Sequence, residues 1–331
     1  MAGEPLLHVT DLRVEFAVFG GALKVLDGIH LDVGRGEKVG LVGETGCGKT
    51  TTMKAILRVL PSSARISSGE ILFQGRPVLG MNARELSRLR GRGISMIFQD
   101  PTAALNPVFT VGEQLQAVIR HASAAAGTPL SARAAREAAV SSLREVALAD
   151  PERLLGSYPV QLSGGMRQRV CIGMALATGP ALLVADEPGT SLDVTIQDQI
   201  LRLLQALVSE RGASVILITH TLGVVRQMTD RVYVMYAGSI VETARTPELF
   251  ARPAHPYTQG LLQTVPRLTG GGIATGIPGR IPDYLDPPDG CRFHPRCPHA
   301  MDVCRQRKPP AFRIGDGHLA ACFLYQAGHG S

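Results

Sequence analysis

The sequence lacks any long run free of charge. Its longest stretch without Asp, Glu, Lys or Arg is Val170–Ala185, 16 residues interrupted by Gly179-Pro180. A membrane span takes about 20 apolar residues, so none is expected. The opening MAGEPLLHVTD lacks a basic region followed by an apolar one, so no secretory signal is expected either. Six cysteines without such a signal argue against a disulfide framework and toward thiols or metal ligands. Lysine is scarce, 5 against 29 Arg, which makes each Lys worth inspecting. A one-signed charge excess is also missing. The net charge of +6 is mild for 331 residues and does not imply nucleic acid; residues 251–331 carry +4 of it.

What is present suffices for a sizeable core. Hydrophobic residues make up 45% and charged residues 19% of the chain, and the length suits about two domains of ~150 residues. The first 45 residues read as β-rich, with apolar–polar alternation at 7–9, 12–16 and 26–33. Val39 to Val42 reads as a buried strand running into a glycine-rich turn, and Thr50 to Leu60 as a helix stopped by Pro61. The pattern turns helical from Pro101 to Ala177, with Val140, Leu143 and Ala147 expected on one face of a helix over 130–148. Ala181–Ala185 and Val215–Ile218 are continuous apolar runs, as in strands buried on both faces. Between them Ile196, Ile200, Leu203 and Leu207 mark a helix face. Beyond 245 the composition shifts to Pro, Gly, Arg, His and Cys, an appended loop-rich module.

Gly43-Glu44-Thr45-Gly46-Cys47-Gly48-Lys49-Thr50 fits GxxxxGK[ST], followed by Thr51. Glycines let backbone N–H groups wrap around phosphates, and the next helix start adds partial positive charge. Lys49 suits the β- and γ-phosphates of ATP, and Thr50 suits Mg²⁺. Asp186-Glu187 ends an apolar strand, where open α/β sheets bind ligands. Asp186 suits Mg²⁺ through water, and Glu187 is placed to orient or deprotonate an attacking water.

The order of further motifs resembles the ABC-type ATPases over about residues 7–245. Leu162-Ser163-Gly164-Gly165-Met166 resembles their signature motif and Gln99 their Q-loop. Ser191-Leu192-Asp193 resembles the D-loop, and His220 the switch histidine. Phe16 lies where the family places an aromatic to stack on adenine. The resemblance implies an α/β P-loop fold, with a parallel-sheet core, an antiparallel β subdomain, a helical subdomain and a C-terminal extension. It implies ATP hydrolysis with Lys49, Gln99, Glu187 and His220 at the reaction. Thr50, Gln99 and Asp186 serve Mg²⁺, and Ser163, Gly164, Gly165 and Asp193 contact nucleotide across a dimer. The expected divisions are 1–98 with 173–245 for the core, 99–172 for the helical part and 246–331 for the extension. Gly189 departs from the usual Thr after Asp-Glu-Pro, without an account from sequence.

Gln99-Asp100-Pro101, Leu105-Asn106-Pro107, Met166-Arg167-Gln168-Arg169 and His255-Pro256-Tyr257-Thr258 narrow the resemblance to the oligopeptide/dipeptide/nickel importer branch. So does Gly290–Pro298, GCRFHPRCP. That branch implies a second homologous ATPase, identical or not, and two transmembrane permeases. It also implies an extracytoplasmic binding protein and a place at the cytoplasmic face of the inner membrane. A soluble ABC ATPase acting on nucleic acid or ribosomes is the alternative, and the absence of a second cassette counts against it. Cys291, Cys297, Cys304 and Cys322 form C-x5-C-x6-C-x17-C, wider than the usual zinc pairs. Four thiolates in a loop-rich segment suit an iron–sulfur cluster, and the resemblance points to [4Fe–4S]; zinc, with His294 or His299, and plain thiols stay open. Cys171 is expected in the core, and Cys47 is expected to be partly accessible when nucleotide is absent.

Overall fold

The alternation near the start becomes the inner face of a strand, Leu7–Val18, whose Leu7, Val9, Leu12 and Val14 are fully buried. It pairs antiparallel with Gly21–Val33 on one side and Ala64–Phe73 on the other, and Arg76–Pro77 closes this four-stranded sheet. The phase of the alternation changes at Asp11, which takes φ 46° inside a bulge, so Val9 and Leu12 share a face despite odd spacing. The computed structural model describes residues 4–190, 192–264 and 276–326. They form two compact units, one of 4–33, 38–79, 218–264 and 276–326, the other of 34–37, 80–190 and 192–217.

The first unit also holds the parallel pair Lys38–Val42 and Arg231–Tyr236, with Val39 opposite Arg231 and Val42 opposite Val234. Ser239–Arg245 continues that sheet antiparallel, and the tail strands His318–Ala320 and Phe312–Gly315 extend it further. The tail is therefore more than loops. Tyr257 and Phe293 are fully buried against Tyr236, with ring centroids 4.7 Å (Tyr236–Tyr257) and 5.0 Å (Tyr236–Phe293) apart. Each such side chain contributes about 1.5–3 kcal/mol by leaving water. Buried Glu242 accepts from Ala254 N, His255 N and His318 Nε2, all at 2.8 Å, which ties the tail to the sheet.

The second unit stacks Ser214–Ile218, Leu182–Asp186 and Ile94–Ile97 side by side. Ile94 faces Leu182 and Ile97 faces Ala185 in parallel register. Every residue of Leu182–Asp186 is buried, which is why that run shows no alternation. The helical stretch resolves into Pro101–Ala104, Val111–Ala125, Ala132–Glu145, Pro151–Leu154 and Gly164–Leu176. In Ala132–Glu145, capped by Ser131, the buried stripe is Ala135, Ala139, Ser142 and Leu143. Val140 is half-buried and Ala147 exposed, because the helix ends at Glu145 and Ala147 turns left-handed at φ 54°. In Val194–Arg211 the buried stripe is Ile200, Leu204, Leu207 and Val208. Among the described residues no helix is long and apolar enough to cross a membrane.

Candidate functional site

In the first unit the strand Lys38–Val42 delivers the chain into a loop that curls over the start of the helix Lys49–Ile56. Gly43 has φ 154°, and a Cβ there would lie 2.1 Å from Met235 O, so no side chain fits. Gly46 is the open rim, with nothing within 4 Å of a virtual Cβ. Lys49 is buried, its Nζ donating to Gly43 O at 2.8 Å and Glu44 O at 3.0 Å. Gly48 caps the helix in the left-handed region, and half-buried Thr50 and Thr51 occupy its first turn. An ammonium and two hydroxyls stand at this helix start under a glycine-rich loop, a set that fits a polyphosphate. Thr45 is exposed on the loop.

Cys47 corrects an expectation. It is 0% exposed, packed beneath the loop with its carbonyl accepting from Gly238 N at 2.8 Å. Burial raises the thiol above its ordinary range. Glu44 also has an unexpected setting. Arg296 of the tail grips its carboxylate through two bonds, Nη1 to Oε2 at 2.7 Å and Nη2 to Oε1 at 3.0 Å. Glu44 N donates to Tyr257 Oη at 2.8 Å, and Tyr284 Oη donates to Gly46 O at 2.8 Å. Sequence reasoning missed these three tail residues as parts of the loop. The only signal was the cluster of tail motifs around Tyr257 and Arg296. Phe16 sits half-buried on Leu7–Val18 opposite Leu23, and His220 is exposed just past Ile218.

In the second unit Asp186 is buried at the end of its strand. Glu187 follows at φ 46°, and Gln99 Nε2 donates to Glu187 Oε2 at 3.0 Å. The parallel register of Ile94–Ile97 against Leu182–Asp186 brings these two strand ends together. Ser163, exposed, caps the helix Gly164–Leu176, its Oγ accepting from Met166 N at 3.3 Å. Asp193 caps Val194–Arg211 by accepting from Ile196 N at 3.0 Å. The two helix starts abut: a Cβ on Gly164 would lie 3.1 Å from Leu192 Cδ2, and one on Gly165 2.9 Å from Ile196 Cγ2. The same helix explains Gly189, where a Cβ would approach Gln197 Cγ to 2.8 Å. Ser191 lies outside the described residues.

The expected iron–sulfur cluster on Cys291, Cys297, Cys304 and Cys322, with zinc as its alternative, is corrected. Among the described residues no group of three or more His, Cys, Asp or Glu side chains is arranged to hold a metal ion. All six cysteines are free. Burial pushes the Cys291 and Cys322 thiols up to about 11 and raises Cys297 as well. His294 Nδ1 pairs with Cys291 O at 3.0 Å.

Residues 26–190 match the family model described as ABC transporter, and 241–304 match the oligopeptide/dipeptide transporter C-terminal region. A probable peptide ABC transporter ATP-binding protein of Sinorhizobium fredii is 48% identical over 96% of this chain and 94% of its own length. The dipeptide transport ATP-binding protein DppD of Bacillus subtilis is 46% identical over 97% of this chain and 95% of its own. A solved ATP-binding cassette, a dimer in a post-hydrolysis state bound to ADP and Pi, superposes with a TM-score of 0.64 at 25% identity, covering 72% of this chain and 98% of that one. The cbiO1 protein of Clostridium perfringens, part of an ABC transporter complex, gives 0.62 at 27% identity, covering 76% and 92%.

Proposed function

The chain belongs to the ABC transporter family as an ATP-binding subunit that hydrolyses ATP, and on that premise we propose that it powers the import of peptides. The observation that carries this reading is the second match, at 241–304, in a chain whose curated relatives align along nearly its whole length. The alternative of a nucleic-acid or ribosome ATPase is not favoured, because those relatives are peptide and dipeptide transport subunits.

In this reading the triphosphate binds at Lys49, Thr50, Thr51 and the loop 43–48, with Phe16 against the adenine. Glu187 is assigned to orient and deprotonate the attacking water, and Gln99 to hold Glu187 in place. Its support is the 3.0 Å bond between these two groups. His220 is assigned to the γ-phosphate, as its resemblance to the switch histidine implies. As the family resemblance implies, Thr50, Asp186 and Gln99 would serve Mg²⁺, which would neutralise charge on the phosphates. Ser163, Gly164, Gly165 and Asp193 serve the nucleotide of a second, similar ATPase, so ATP holds the pair closed and hydrolysis opens it.

Two permeases and an extracytoplasmic binding protein complete the importer, with this subunit peripheral at the cytoplasmic face. The helical part, proposed as 99–172, presents exposed Val108, Phe109, Tyr158 and Val160. Val111 N donates to Ser157 O at 2.9 Å, so these residues flank one seam, a fit for a permease coupling helix. Co-purification with the permeases and uptake of labelled dipeptide into vesicles test the reading. ATP-driven uptake that a Glu187→Gln subunit abolishes supports it; an assembly that hydrolyses ATP without moving any peptide refutes it.

A further inference from the structure

The motif Gly290–Pro298 loses its metal role but keeps a buried arginine. The Arg296 side chain is 5% exposed, and its five N–H donors all find acceptors. Two go to the Glu44 carboxylate, one to Pro278 O at 2.8 Å, one to Ile277 O at 3.0 Å and one to Tyr236 Oη at 3.4 Å. The guanidinium is thus fixed in the tail before it meets the loop. The aromatic cluster of Tyr236, Tyr257 and Phe293 holds that part of the tail in register, and Tyr257 reaches the loop itself.

We propose that Arg296, with Tyr257 and Tyr284, positions the phosphate loop, so that the C-terminal extension sets this subunit's affinity for ATP. Two physical effects support it. The first is electrostatic. Glu44 is an acid within a loop that binds an anion, and unpaired it repels the triphosphate. Arg296 neutralises the carboxylate and holds it turned toward the tail. The second is entropic. Gly43, Gly46 and Gly48 all have positive φ and leave the loop with many unfolded-like alternatives. Anchors at Glu44 N, at the Glu44 carboxylate and at Gly46 O remove those alternatives before ATP arrives, which tightens binding by preorganisation. The inference rests on ATP binding alone and not on what is transported.

The test compares the full chain with Arg296→Ala, Arg296→Lys, Arg296→Ala/Glu44→Gln and Tyr284→Phe. A fluorescent ATP analogue with Mg²⁺ reports Kd, and steady-state hydrolysis separates KM from kcat. Arg296→Ala should raise Kd and KM about tenfold or more while kcat changes less than about threefold. Adding Glu44→Gln to that variant should recover most of the affinity, since no uncompensated carboxylate remains. Arg296→Lys should be intermediate, a point charge replacing a planar fork. Should Arg296→Ala not fold, Tyr284→Phe carries the test, with an expected rise in KM of about threefold from loss of one bond to Gly46 O. Unchanged Kd in the folded Arg296→Ala or Tyr284→Phe variant overturns the proposal. So does a failure of Glu44→Gln to rescue Arg296→Ala, which points to general loosening instead of charge.

Discussion

Gln99 Nε2 donates to Glu187 Oε2 at 3.0 Å, while Glu187 holds a left-handed backbone at φ 46°. A non-glycine residue in that region costs on the order of 1 kcal/mol and persists where neighbours enforce it. Here Gly189 N and Thr190 N both donate to Glu187 O, at 2.7 and 3.3 Å, so a tight turn aims the carboxylate toward Gln99.

Glu187→Gln should therefore keep nucleotide binding and lose hydrolysis, because the amide fills the same space but accepts no proton. A fall of about 10²-fold or more in kcat with little change in nucleotide Kd is expected in the purified complex. Near-normal turnover sinks the assignment of Glu187 as the base.

Cys47 should resist thiol reagents whether or not ATP is bound, since it is fully buried and its thiol is raised. Half-exposed Cys291 and Cys297 should react first. Peptide mapping after brief alkylation checks the order. Labelling of Cys47 as fast as Cys297 contradicts the packing beneath the loop.

The tail should hold together through its aromatic cluster and not through a metal. A strong chelator is expected to leave the Tm unchanged, whereas Phe293→Ala, which empties a fully buried site, should destabilise by about 3–5 kcal/mol. Thermal unfolding of both samples decides it, and a chelator-induced drop in Tm would falsify the metal-free tail.

Acid should loosen the tail through His255. Burial pushes its imidazole from 6.5 down to about 3, and its Nδ1 accepts from Tyr257 N at 3.0 Å, a bond that only the neutral ring makes. Between those values the unfolded chain holds more protons, so the stability contributed by the neutral ring is complete above pH 6.5 and declines as pH falls toward 3. The slope approaches about 1.4 kcal/mol per pH unit at most. His255→Asn, which keeps an acceptor without the titration, should flatten the dependence of Tm on pH between 7 and 5. An unchanged slope in that variant shows that other groups dominate.

The sequence by itself determined what neighbours in the chain determine. The phosphate loop between strand and helix, the buried run ending in Asp186-Glu187, the capped signature helix and the order of these motifs all depend on short-range backbone chemistry. Periodicity and spacing report that directly. Tertiary structure alone decided which distant side chains complete those pieces. Arg296 meets Glu44 across 252 positions of chain. Cys47 is buried, with its carbonyl held by Gly238 N from far along the chain, which no local pattern encodes. The four tail cysteines illustrate the limit from the other side: their spacing suited a cluster, but whether sulfurs converge depends on how the segment packs. That packing is set by Tyr236, Tyr257 and Phe293, residues that read in the sequence as scattered aromatics and become one core only when the tail strands extend the sheet.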